Sequence, residues 1–172
     1  IISCHHEQSA GFAAEAHARI TGVPGVALAT SGPGATNLLT AIASCYFDST
    51  PAIFITGQVN TYEQRKKNGP RQLGFQETNI TEMSASITKK SFNVDDVKKI
   101  PEIMEQAFMY ALSGRKGPCL IDIPMNIQSQ EIEDDLAKKF FIKDKKLINS
   151  NKYFKQTIFN DAEINKLIKD IN

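Results

Sequence analysis

Cysteine is scarce in this chain, and what there is of it is not arranged for cross-linking. Cys4, Cys45 and Cys119 are widely spaced and odd in number, with no CxxC, so neither a disulfide framework nor a zinc site is supported. Long apolar runs are missing too. Stretches such as 51–56 fall far short of the roughly 20 residues that cross a bilayer, and the N-terminus carries no basic-then-apolar secretory pattern. Charge of one sign is also lacking, since 20 Lys and Arg stand against 19 Asp and Glu. Neither nucleic acid nor a membrane is the expected partner, and the reading is of a cytoplasmic protein with reduced, mostly structural cysteines.

What is present is 172 residues, 41% hydrophobic and 23% charged, enough for one globular core. Ile1-Ile2 reads as the tail of a truncated strand. A helix is expected over 7–20, closed by Gly22 with Pro24 soon after. A buried strand at 26–29 runs into Thr30-Ser31-Gly32-Pro33-Gly34, and 35–47 has helical periodicity through Leu38, Leu39, Ile42, Ala43 and Tyr46. A second strand at 52–56 leads into a long polar loop, 57–74, with the basic run Arg65, Lys66, Lys67 and Arg71. Such a loop is usually functional or mobile. A short helical piece near 75–83, a strand around 85–93, a helix capped by Asp95-Asp96 and running through Leu112, and a strand over 119–124 follow.

Apolar strands alternating with helices predict an α/β fold, a parallel sheet flanked by helices on both faces. Residues 1–128 read as one domain. Beyond them an acidic patch gives way to a segment, 138–172, with nine Lys against four acids. The expected layout is a linker over 129–160, then an amphipathic helix with Ile164, Leu167, Ile168 and Ile171 on one face, opening a further domain at 161–172.

Two stretches carry candidate chemistry. His5-His6-Glu7-Gln8 lies at a strand-to-helix junction, and in parallel sheets ligands bind at the C-terminal ends of strands. Taken alone, Glu7 reads as a first-turn capping acid. The two adjacent histidines point opposite ways and have no third ligand at metal spacing. Thr30 to Asn37 forms a strand, glycine-rich turn and helix start that lets backbone approach a ligand, yet it is neither GxGxxG nor GxxxxGK[ST]. No GxSxG occurs, which leaves serine hydrolase chemistry unsupported.

Taken in order, His6-Glu7-Gln8, Gly11-Phe12-Ala13-Ala14-Glu15, Thr30-Ser31-Gly32-Pro33-Gly34-Ala35-Thr36-Asn37, Thr56-Gly57-Gln58-Val59, Phe75-Gln76-Glu77-Thr78 and 117–124 resemble the pyrimidine-binding domain of the acetolactate synthase group of thiamine-diphosphate enzymes. The resemblance covers roughly 1–128. It implies a decarboxylase/carboligase of 2-oxo acids, serving branched-chain amino acid biosynthesis. It implies that thiamine diphosphate lies between domains of two subunits in a homodimer or homotetramer, with Mg²⁺ held by a domain absent from this chain and FAD possible in the full protein. By the same resemblance Glu7 hydrogen-bonds the pyrimidine ring nitrogen, a role that asks for a dry pocket and a raised pKa. Pro33 and Asn37 line the pocket, Thr30 lies beside it, and Phe75-Gln76 projects toward the reacting centre, Gln76 as a catalytic group.

Two departures bear on the substrate. The loop between Val59 and Phe75 is longer than in the family and basic, and Met125-Asn126 replaces a lysine. A carboligase for a sugar-derived or sulfonated 2-oxo acid is therefore one alternative. A non-catalytic cofactor-binding domain of the same fold is another.

Overall fold

The structure, a computed structural model, describes residues 1–66, 68–133, 135–136 and 169. The first helix, α1 (Glu7–Thr21), begins where the His6 side chain accepts the Gln8 N–H, and ends on Gly22, whose φ of 73° supplies the left-handed cap. It lies on β1 (Gly25–Ala29). Next come α2 (Pro33–Asn37), α3 (Leu39–Phe47), β2 (Ala52–Gln58), α4 (Ile80–Ser84), β3 (Lys90–Asn93), α5 (Ile100–Leu112), β4 (Pro118–Pro124) and α6 (Met125–Gln128). The four strands are all parallel, in the order β1-β2-β4-β3.

Strand alternation sorts the core into two layers. Ala27, Ala29, Phe54 and Leu120 face Ala14 of α1, Ile42 and Cys45 of α3 and Ile80 of α4. Ile53, Cys119, Ile121 and Ile123 face Ala107 and Ala111 of α5 together with Phe92 and Ile127. Helices therefore cover both faces, as the sequence predicts. Along the first face the central strands change character: Phe54 and Leu120 are followed by Thr56, Gln58 and Asp122, so polar groups gather at the C-terminal ends.

One polar cluster braces the outer helices. Glu15, only 5% exposed, accepts from Arg19 Nε at 3.0 Å and from Ser44 Oγ at 3.1 Å, and Arg19 also pairs with Asp48. A buried carboxylate is tolerated because each of its contacts is a donor.

Several expectations change. Ile1 and Ile2 are exposed and outside any strand; a short apolar pair has no ladder to join. The helix expected over 35–47 is two helices meeting at Leu38, whose N–H turns back to Ala35 O at 3.2 Å, one residue tighter than an α-helical bond. The piece expected at 75–83 is helical only from Ile80, because Gln76 takes a φ of 58° and the side chain of Asn79 caps Glu82. The strand expected over 85–93 shrinks to Lys90–Asn93 behind a 3₁₀ turn at Ala85–Ile87. Asp96 caps a 3₁₀ turn, Val97–Lys99, that leads into α5, where Pro101 occupies the first turn. Most of the expected linker over 129–160 and nearly all of 161–172 lie outside the described residues. No helix among the described residues is long and apolar enough to cross a membrane.

Candidate functional site

Three chain segments meet at the C-terminal ends of β1 and β2. Glu7 is the first residue of α1, and Asn37 the last of α2. The Asn37 Nδ2 donates to Glu7 Oε2 at 3.0 Å. The other carboxyl oxygen faces Gly34: a Cβ built on that glycine would lie 3.2 Å from Glu7 Oε1 and 2.8 Å from the Thr30 methyl. Glycine at this position is what leaves room for the carboxylate.

The turn before α2 meets the later loop. Gly32 has a φ of 62°, and a Cβ there would sit 2.7 Å from the Gln76 Cβ and 2.9 Å from its carbonyl oxygen. Two residues in the left-handed region thus stack back to back, one of them not glycine. Gln76 carries that strain within the contact. Glu7, Thr30 and Asn37 thus gather about Gly34 and α2, while Gln76 meets the same turn at Gly32; Pro33, which starts α2, is exposed. Phe75 is 83% exposed and packs on nothing in the described core.

Glu7 departs from the expected dry carboxyl. It is half-buried, and its pKa is lowered, first by the Asn37 amide, then by a backbone N–H, with slight burial opposing and His6 assisting. A carboxylate open to water and given a donor keeps its charge. His6 itself caps α1 through Nδ1, at 3.1 Å from Gln8 N. No cluster of three His, Cys, Asp or Glu able to hold a metal ion occurs among the described residues.

The 57–74 loop is anchored by a residue that the sequence reading left without a role. The Glu77 carboxylate accepts the N–H of Arg65 at 2.6 Å and of Leu73 at 2.9 Å, closing both ends of the basic segment. Burial raises the Glu77 pKa, but the backbone donors outweigh it and the net direction is down. Arg65, Lys66 and Arg71 stand exposed, and Lys67 lies outside the described residues. Asn126, beside Met125, exchanges hydrogen bonds with Thr61 at 2.9 and 3.0 Å. Asp122, also unassigned from sequence, lies buried and bonded to Thr56 and Gln58 near the C-terminal end of β4. Its signal was available as the single acid inside the apolar run 119–124.

Residues 1–83 match the family described as thiamine pyrophosphate enzyme, N-terminal TPP binding domain. Acetolactate synthase 2, chloroplastic, of Nicotiana tabacum is 49% identical over 134 residues, covering 76% of this chain and 19% of the relative. Acetolactate synthase, chloroplastic, of Arabidopsis thaliana is 50% identical over 129 residues, 73% of this chain and 18% of the relative. Acetolactate synthase 2, chloroplastic, of Zea mays is also 50% identical, over 73% of this chain and 19% of its own length. The chain thus spans just under a fifth of the relatives it matches. Parallel sheet and sequence agree: residues 1–83 match the N-terminal domain of the thiamine pyrophosphate enzymes, and the chain is acetolactate synthase-like over about three quarters of its length.

Proposed function

We propose that this domain holds the aminopyrimidine end of thiamine diphosphate in an enzyme that decarboxylates pyruvate and joins the product to a second 2-oxo acid, as the names of the relatives suggest. The observation that carries the reading is the Glu7–Asn37–Gly34 arrangement. One carboxyl oxygen is occupied by an amide donor, and the other is open over a residue with no side chain. The residues fit the group: a ring nitrogen needs an acid that can share a proton along a hydrogen bond, aimed by a second contact.

The chemistry supplied by the bound cofactor is decarboxylation of a 2-oxo acid and carboligation to another. Glu7 holds or passes the proton at Oε1, Asn37 fixes the carboxyl plane through Oε2, and Gly34 keeps the approach clear. Gln76 and Phe75 stand on the substrate side, Pro33 and Thr30 at the rim. The resemblance implies a site completed by a second subunit, whose cover would exclude water and push the lowered Glu7 carboxyl upward. A homodimer or homotetramer sharing its sites is therefore part of the proposal. Mg²⁺, and the FAD of some members of the resembled family, are assigned to parts of the protein outside 1–128.

The three free cysteines fit a reducing compartment. We place the protein in the cytoplasm; the chloroplastic names of the plant relatives make a plastid the competing placement, which fractionation decides. The function is tested in the complete enzyme by Glu7→Gln. Acetolactate formation from pyruvate should fall by about 10²-fold or more, the scale of an acid–base contribution. Unchanged turnover and unchanged exchange of the cofactor proton would overturn the assignment.

A further inference from the structure

Asp122 sits in mid-strand on β4, 3% exposed, with Thr56 as its ladder partner on β2. Thr56 Oγ1 donates to its Oδ1 at 2.6 Å and Gln58 Nε2 to its Oδ2 at 2.9 Å. A staple between two strands already in register would need only the first of these bonds. The second leads out of the sheet.

Gln58 has no freedom left. A carboxylate only accepts, so it dictates which end of the amide faces it. The Gln58 Oε1 is taken by the N–H of Val59 at 3.0 Å. The remaining Nε2 hydrogen points at the Thr78 carbonyl, 2.7 Å away. Thr78 in turn donates from Oγ1 to the Gln76 carbonyl at 3.3 Å. Two residues, Gln58 and Thr78, thus connect the buried acid to the strained residue that packs on Gly32.

We infer that Asp122 is a positioning residue: through Gln58 and Thr78 it holds the 74–80 segment, and with it Gln76, against Gly32 in the turn that leads to Gly34 and Glu7. The inference rests on the reading of Gln76 as a substrate-side group. A strained φ persists only where the surroundings over-determine it, and the Gln58–Thr78 bond ties this turn to the sheet beside the packing of Gly74 on Val59 and of Ile80 in the core. The cost of burying a carboxylate in a strand is then matched to a purpose that Thr56 alone would not serve.

The test uses the complete enzyme. Asp122→Leu removes the anchor; Gln58→Met, which loses both donors at similar length, serves should the first variant not fold. Thr56→Val removes the other donor to the same carboxylate and is the control. Amide hydrogen exchange over 74–80 should speed up by about tenfold, the worth of one lost hydrogen bond, in the anchor variants and not in Thr56→Val. Turnover of pyruvate should fall by about tenfold or more with KM little changed, as for a misplaced catalytic group. Unchanged exchange over 74–80 would overturn the tether. Gln76→Ala separates the remaining cases. If it lowers turnover while Gln58→Met does not, the positioning role fails and the site reading stands. If Gln76→Ala leaves turnover intact, the substrate-side reading fails and takes this role with it.

Discussion

Asn37 donates its side-chain amide to Glu7 across the mouth of the sheet, 3.0 Å from nitrogen to oxygen. The bond joins the last residue of α2 to the first of α1, so the break at Leu38 matters: a continuous helix over 35–47 would have run past this point without ending there. The same bond is the largest cause of the lowered Glu7 pKa.

Asn37→Ala should therefore let the Glu7 pKa climb back toward 4.5, read by carboxyl carbon NMR of a selectively labelled domain. The sign follows from the direction. A depressed carboxyl stabilises the fold above its ordinary pKa and loses that contribution as pH falls through the native value, so the variant's stability should depend less on pH in the acid range. An unmoved Glu7 titration would show that the backbone donor alone sets it.

Gly32→Ala places a methyl group against Gln76 at a φ of 62°. Alanine at positive φ destabilises by more than about 1 kcal/mol, and here a contact is added to the backbone strain. Denaturant unfolding should show that loss. Gly34→Ala, with an ordinary backbone, would set a methyl group 2.8 Å from the Thr30 methyl and 3.2 Å from Glu7 Oε1, so stability should fall and cofactor affinity with it.

Glu77 closes the basic loop with two backbone hydrogen bonds. Glu77→Ala should speed tryptic cleavage at Arg65 and Arg71 by about tenfold, since each lost bond is worth about 1 kcal/mol. In the unaltered chain, amides 65 and 73 should exchange faster relative to β4 as pH falls below the usual glutamate range, once intrinsic exchange is corrected for. Equal cleavage of the two proteins would mean that the loop is held by something else.

Burial pushes the Asp122 carboxyl up to about 6, against the opposing donors Thr56 and Gln58. Here the sign is reversed. Between its ordinary value of 3.8 and about 6 the native state binds the proton more tightly than the unfolded chain, so this group's contribution declines as pH rises across that window, by about 3 kcal/mol in all. Asp122→Asn should flatten the slope of unfolding free energy between pH 4 and 6. An identical slope in both proteins would place the titration elsewhere.

The parallel sheet was legible because its strands are apolar runs: 52–56 and 119–124 could be read without any knowledge of partners. Glu7, Thr30 and Asn37 were legible only as members of an ordered set of motifs, since alone each has an ordinary structural use. The turn at Gln76 was not, because its positive φ accompanies a contact with Gly32 made between distant segments. For the same reason Asp122 and Glu77, though inside quoted motifs, were given no role. Their meaning lies in donors supplied by Gln58 and by backbone N–H groups of the loop, which no spacing rule encodes. The raised pKa expected for Glu7 failed because burial belongs to an assembled pocket and not to a residue type.

The sheet ends at β1 with one side unpaired among the described residues. Its sequence, GVALA, carries neither charge nor proline, and Val26 and Leu28 are 52% and 70% exposed. Such an edge is a template on which another strand can lay its own backbone. A preparation limited to these 172 residues should accordingly build oligomers as its concentration rises, with new intermolecular strand pairing. Leu28→Lys should keep it monodisperse, because a lysine on the rim admits solvent but not a second flat ribbon.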